Sequence, residues 1–376
     1  KHFKLSALKP GTCVCDDQYD FIDNQCIEAI QPELPPTVPT GESTEKLDNN
    51  KGVTIDGDVA TVDEQSKLPA DKKAYVFDLP PTVSTVVIPE ISKEMHITIP
   101  EATGNKAVTI NSTSSKTPVV VTCDSASSNL VVPAENDITI SSSGSLTINP
   151  MEEGKTDVEI GNLRPSGDSL TLTSNANITI DELDIYGTKT VTGDESPDKQ
   201  TKCTNARLAR GATFTPQSLN IENIEVGLLS KVLLNREPSN VHVGKFIVDY
   251  NRTQLASIPI PLLFSKVLPD LANTHLEMKT ISADQNLQEE EKFTIAQFKD
   301  FDGSVDSEKV RLQCENLSAN FDTTGNTGFN LNNKKCEKTD EGYDLVLTKQ
   351  VGDDGGKKDK GLSGGAIAGI VIACVV

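Results

Sequence analysis

Six short apolar triplets follow one another at a fixed spacing of eleven residues, and this periodicity narrows the possible folds more than any other feature of the chain. Tyr75-Val-Phe77, Val86-Val-Ile88, Ile97-Thr-Ile99, Val108-Thr-Ile110, Val119-Val-Val121 and Leu130-Val-Val132 are centred on residues 76, 87, 98, 109, 120 and 131. In extended backbone each triplet sends two side chains to one side and its middle residue to the other, so each reads as a half-buried strand. The series runs on less strictly through Ile138-Thr-Ile140, Leu146-Thr-Ile148, Val158-Glu-Ile160, Leu170-Thr-Leu172 and Ile178-Thr-Ile180. It resumes from Leu219-Asn-Ile221 to Phe246-Ile-Val248.

Two architectures use strands at this spacing: a β-sandwich of hairpins, and a solenoid whose coils stack strand on strand. The solenoid fits better. The triplets are short for a sandwich, and the turns between them are Ser, Thr and Asn runs rather than the Asn-Gly or Asp-Gly of tight hairpins. Aromatic residues make up 4% of the chain and Trp is absent, which suits a narrow interior better than a ligand pocket. The fold expected over residues 53–350 is therefore an all-β, right-handed parallel β-helix of about 22 residues per coil, two triplets to a turn. Residue i should then stack on i+22, putting Ile99 near Val121 and Ile110 near Val132. Residues 255–309 fit the pattern poorly: Ile258-Pro-Ile-Pro261 can be only an edge or irregular strand, and Gln285–Lys292 reads as a loop or short helix. Strand-like triplets return at Val310-Arg-Leu312, Phe329-Asn-Leu331 and Leu345-Val-Leu347.

The flanks have a different composition. Residues 1–30 hold Cys13, Cys15 and Cys26, a disulfide-stapled segment of an oxidising compartment; a metal site is the rival, but no His or fourth Cys stands at ligand spacing. Residues 31–52 are rich in Pro, Thr and Glu and read as an extended linker, and residues 351–361 as a second linker of Gly, Asp and Lys. Residues 362–376 carry no charge and read as the start of a transmembrane helix that the chain end cuts short; a lipid-anchor signal or a buried strand are the alternatives. Cys314 and Cys336 bracket a loop and are expected to pair, while Cys123 and Cys203, far apart in sequence, are left open.

The net charge of −20 excludes a phosphate-neutralising surface, so nucleic acid is not an expected partner. No catalytic, cofactor-binding or metal-binding residue is assigned. The four histidines are scattered without sequence partners, and no nucleophile elbow, phosphate loop or His-Glu-x-x-His motif occurs. The densest acidic stretch, Asp300–Glu308, departs from the calcium-loop pattern and reads as a solvated loop. Asn111, Asn177, Asn251 and Asn316 stand in Asn-x-Ser/Thr sequons, so each is a candidate glycan acceptor if the chain is secreted, with about half expected to carry glycan.

Two resemblances add to this. The spacing of Cys13, Cys15 and Cys26, with Tyr19 and Phe21 between, is similar to the second half of an EGF-like module. Gly361–Val376 resembles the Gly-Gly-Ala-Ile-Ala-Gly-Ile-Val anchor of trichomonad-type protist surface proteins, which carry long, often β-helical and pectin-lyase-like ectodomains. That resemblance implies an anchored cell-surface protein with its ectodomain outside, acting by adhesion or display on an extracellular protein or glycan. It brings no catalytic residues, since the clustered Asp and Gly-His-Gly signatures of β-helical polygalacturonases are missing here. The alternative is an anchored polysaccharide-acting hydrolase or lyase, which grouped carboxylates on one face of the coil stack would favour.

Overall fold

The computed structural model describes residues 3–5, 13–15, 19–22, 25–28, 41, 43–114, 117–227, 229–235, 241–251, 260–266, 268–282, 292–299, 301, 305–323 and 334–348. The chain forms two compact units, one over residues 32–225 and 236–244, the other over 1–31, 226–235 and 245–376. Strands dominate both, and one α-helix occurs among the described residues.

The larger unit is built from parallel ladders that connect successive coils. The first joins Thr44–Lys46, Ala74–Asp78, Glu94–Ile99 and Val119–Cys123, then residues 139–142, 162–165, 182–185 and 205–208. The second joins Val59–Val62, Thr85–Ile88, Ala107–Ser112 and Ser127–Val132, then residues 145–150, 169–173, 188–192 and 213–217. From residue 157 a third appears, joining 157–160, 177–180 and 201–203, so these coils have three strand faces instead of two. Thr139–Pro150 and Asp157–Thr173 are long strands because each bends round a corner and serves more than one ladder. At the first corner Gly144 has φ +66°, and a Cβ there would lie 2.1 Å from the Ala126 carbonyl oxygen, so only glycine fits.

The interior is made of columns. Phe77, Ile97, Val121, Ile140, Leu163, Leu183 and Ala206 follow one another along the first ladder, and all are buried. Each rung puts an apolar side chain over the next at the inter-strand spacing of about 4.8 Å, so no middle rung exposes its core face. The column climbs from residue 77 to residue 206 in six rungs, about 21.5 residues each, close to the expected coil. Individual coils vary, however. Ile99 faces Cys123 rather than Val121, an offset of 24, while Thr109 faces Val131 at the offset of 22 that carries Ile110 toward Val132. Turn lengths absorb the difference, because the ladder requires only that inward positions meet.

The structure also starts earlier than its composition indicates. Thr44–Lys46 lies in the stretch read as a linker, yet it is a strand paired with residues 74–76, and Leu47 beside it is buried. Charges clothe this end: Glu45 pairs with Lys51, and Lys46 with Asp78.

In the smaller unit, parallel pairs join residues 232–234 to 262–264, 262–265 to 296–299, 245–251 to 275–282, and 276–278 to 321–323. The order then reverses: Gly342–Thr348 runs antiparallel to both Lys292–Lys299 and Lys334–Lys338. Two antiparallel pairs, residues 3–5 with 13–15 and 19–22 with 25–28, contain Cys13, Cys15 and Cys26, whose side chains lie outside the described residues. The structure corrects one strand assignment. Val310-Arg-Leu312 belongs to the helix Ser307–Ala319. Asp306 caps it, its Oδ1 accepting from the Glu308 N–H at 2.9 Å, and Val310, Cys314 and Leu317 form its buried stripe at helical spacing. Leu312, the other half of the supposed triplet, is 51% exposed. Cys314 is bonded to Cys336, fixing the helix to the terminal antiparallel strands; closing a loop of this length contributes about 3 kcal/mol in the chain-entropy picture. Phe329-Asn-Leu331 and residues 350–376 lie outside the described residues, and no described helix is long and apolar enough to cross a membrane.

If the inward columns carry the stability, Leu163→Ala should cost about 2–5 kcal/mol, against less than about 0.5 kcal/mol for Leu312→Ala on the exposed helix face. Denaturant unfolding of the two variants measures the difference; equal effects would contradict the column account.

Candidate functional site

Because coils repeat in register, each ladder also has outward columns, and their chemistry differs from face to face. On the first ladder one column runs Ser141, Arg164, Asp184, Arg207, and the adjacent one runs Thr139, Asn162, Glu182, Asn205. Asp184 is completely buried, with Arg164 Nε 3.3 Å and Asn162 Nδ2 3.0 Å from its Oδ2. Arg207 approaches its Oδ1 through Nε at 2.9 Å and Nη2 at 2.8 Å. Arg207 Nε is also 2.9 Å from Glu182 Oε2, and Asn205 donates to Glu182 Oε1 at 3.1 Å. Burial works against the Arg207 cation, but Asp184 and Glu182 outweigh it and raise its pKa above the ordinary value. The order Arg, Asp, Arg places opposite charges on successive rungs, where like charges would repel at close range.

Glu182 and Asp184 are thus two carboxylates on one face, as residues two apart on a strand must be. The signal was present in Asp181-Glu-Leu-Asp184, but the ladder that brings up Arg164 and Arg207 is invisible without the coil lengths. Chemically the group is a closed ion network. Three donor side chains surround Asp184 and engage both of its oxygens, which suits positioning and stability. Asp181 differs: burial, with Asp137 adding to it, raises its carboxyl pKa.

The second ladder presents the opposite chemistry. At the outward positions of the strands from residue 127 to residue 217 stand Ser, Thr, Asn, Val and Gln, with no acidic or basic side chain. One column is Ser127, Ser145, Thr171, Thr192, Gln217, and Asn129, Thr147, Thr173 stand beside it. Hydroxyls link consecutive coils: Thr147 Oγ1 is 2.8 Å from Thr173 Oγ1, and Thr192 Oγ1 donates to Gln217 Oε1 at 3.0 Å. The result is a grid of hydroxyl and amide groups with rungs about 4.8 Å apart and neighbours along a strand about 6.7 Å apart. Ser169, Thr171 and Thr188 on this grid are exposed.

The residues singled out in the sequence fall in separate places. Cys314 and Cys336 meet; Cys123 and Cys203 are buried free thiols. Cys123 lies in the first ladder opposite Ile99, and Cys203 in the third opposite Ile180. Four rungs of about 4.8 Å separate their coils, beyond the Cα separation of about 4.4–6.8 Å that a disulfide spans. Burial pushes the Cys123 thiol up to about 12 and the Cys203 thiol up as well, so both stay protonated. Asn111 and Asn177 lie on strands and Asn316 on the helix; the Asn251 side chain is outside the described residues. His96 is a buried strand residue between Val76 and Val120, its Nε2 3.2 Å from Glu94 Oε1 without hydrogen-bond alignment. In the acidic stretch, Asp306 and Glu308 start the helix, Glu308 pairing with Arg311, while Asp300 and Asp302 lie outside the described residues. Among the described residues no group of three potential ligands could hold a metal ion.

No protein-family model, no curated protein and no solved structure matches this chain.

Removing Asp184 leaves two arginines without their shared anion, so Asp184→Ala should cost about 3–5 kcal/mol in equilibrium unfolding. A loss below about 1 kcal/mol would show the network to be dispensable. Acid sensitivity should arise at Asp194. Burial opposes its charged form, but hydrogen bonds from Ser196 and Ser174 prevail and hold its pKa below the ordinary carboxylate value. Its contribution to stability is then complete above the unfolded pKa of about 3.9 and lost as pH falls through the lower folded value. Asp194→Asn should flatten the acid limb of the stability curve there; an unchanged limb would refute the assignment.

Proposed function

We propose that the chain is a non-catalytic cell-surface protein that adheres to an extracellular glycan or protein through the uncharged face of its second ladder. On this reading its strand-rich part is the right-handed parallel β-helix expected from the sequence, and residues 362–376 begin the helix that anchors it in the membrane. The observation that carries the proposal is the contrast between faces. In a chain of net charge −20, one multi-coil surface lacks charge and consists of regularly spaced hydroxyls and amides, groups that can exchange water for the hydroxyls of a ligand without desolvating a charge. The Cys314–Cys336 bond supports an oxidising, extracellular setting. The resemblance of Gly361–Val376 to protist surface anchors supports the same placement.

A second reading has one observation in its favour: Glu182 and Asp184 share a face with Arg164 and Arg207, the grouping a polysaccharide hydrolase or lyase would use. The burial of Asp184 and its saturation by donors count against it, since catalysis needs a carboxyl group free to exchange a proton with substrate.

Full-length protein displayed on a non-adherent cell should confer binding to surfaces coated with polysaccharide or with extracellular protein. Thr171→Glu combined with Thr188→Glu, two exposed positions that do not stand over one another, should weaken that binding at least about tenfold, about 1.4 kcal/mol, with unchanged unfolding. Binding indifferent to the two glutamates would remove the face from the account. Release of reducing or unsaturated ends from a polysaccharide panel, abolished by Asp184→Asn, would establish the enzyme instead.

A further inference from the structure

The four sequons are equivalent in the sequence, but the fold separates the three whose asparagine side chains are described. Asn177 is a rung between coils: its Nδ2 donates to Asp157 Oδ1 at 2.9 Å, and its Oδ1 accepts from the Gln200 N–H at 3.1 Å. Both ends of that carboxamide are engaged. Asn316 sits inside the helix Ser307–Ala319, with Nδ2 3.3 Å from Gln313 Oε1. Asn111 is different. It lies in Ala107–Ser112, where Val108 and Ile110 point into the core and Asn111 points out, opposite Val87 of the preceding coil. The following coil's strand ends at Val132, and its pairing with this one stops at Thr109 with Val131, so no paired residue stands over Asn111 on that side. Its carboxamide has no hydrogen-bond partner among the described residues. Thr113, the hydroxyl residue of the sequon, is exposed, with its Oγ1 3.2 Å from the Ile88 carbonyl oxygen.

We infer that Asn111 is a built-in N-glycan acceptor, and that Asn177 is a structural rung whose amide the coils require. The inference rests on the extracellular reading proposed above. In the transfer, Nδ2 of Asn111 forms a bond to C1 of a sugar carried as a polyprenyl diphosphate glycoside. The bond from C1 to the diphosphate oxygen breaks, the lipid diphosphate leaves with the electron pair, and Nδ2 gives up one proton to the medium. The attached glycan projects from the second-ladder side, at the N-terminal border of the uncharged grid, and no hydrogen bond of the fold is lost, because the Asn111 amide makes none within the described structure.

The test is to pass the full chain through a eukaryotic secretory pathway and release its N-glycans in heavy-oxygen water with an amidase that hydrolyses the Cγ–Nδ2 bond and leaves aspartate. The Asn111 peptide should appear as heavy-oxygen aspartate. Asn111→Gln should abolish that signal and leave the melting temperature unchanged, whereas Asn177→Gln should lower it. Secreted protein with Cys314 and Cys336 bonded but Asn111 unmodified would overturn the inference while leaving the extracellular reading intact. A chain retained in the cell with Cys314 and Cys336 as thiols would overturn that reading and the acceptor with it. Equal melting of the Asn111 and Asn177 variants would overturn the distinction between the two sites.

Discussion

Everything in the larger unit depends on in-register parallel pairing of one coil with the next. Backbone hydrogen bonds fix the rungs about 4.8 Å apart, and this places every side chain directly over its counterpart on the neighbouring coil. Inside, the consequence is favourable without further adjustment, since apolar columns such as Phe77 to Ala206 bury each member against the next. Outside, the same geometry is a constraint, because a column of like charges would repel at every rung. Two solutions to that problem are present. The first ladder alternates sign through Arg164, Asp184 and Arg207, and the second omits charge and fills its columns with Thr, Ser and Asn. The difference between a closed ion network and an open hydroxyl face follows from how each ladder meets one electrostatic requirement.

A stack of parallel strands also has ends, where unpaired backbone groups would invite edge-to-edge association. The chain uses antiparallel pairs there. In the larger unit Val53–Asp56 folds back on Val59–Val62, the first strand of the second ladder. In the smaller unit Gly342–Thr348 and Lys334–Lys338 follow the last parallel strands, and the latter reads Lys-Lys-Cys-Glu-Lys, a charged strand of the kind that discourages further pairing. The disulfide from Cys336 to the helix holds this arrangement where the coil pattern stops.

The sequence disclosed the strands well and the coil lengths only on average. The triplets from Tyr75 to Phe246 are strands because the alternation of apolar and polar residues is a local property, enforced by the ladder they enter. What the spacing of eleven could not show is that turn lengths differ, so offsets along the inward column range from 19 to 24 residues. Nor could it show the third strand face from residue 157, which depends on where corners such as Gly144 fall. Val310-Arg-Leu312 misled because three residues cannot distinguish a period of 2 from one of 3.6; the helix signal lay further out, in Asp306 as a cap and in the spacing of Val310, Cys314 and Leu317. The two outward faces were the least legible feature. Their members come from strands some 20 residues apart, and only the realised register shows which of them stand together.

The register is therefore the central claim, and paired cysteines on the hydroxyl face test it most directly. In the full chain, Thr147→Cys with Thr173→Cys places two thiols on consecutive rungs of one column, where the native hydroxyl oxygens are 2.8 Å apart. Thr147→Cys with Thr171→Cys places them on the same two coils but one column off, since Thr171 stands over Ser145. Mild oxidation followed by peptide mapping should find the first pair closed and the second open. Closure of the second pair in preference to the first would mean that the coils are slipped by two residues, and both the columns and the uncharged grid would have to be redrawn.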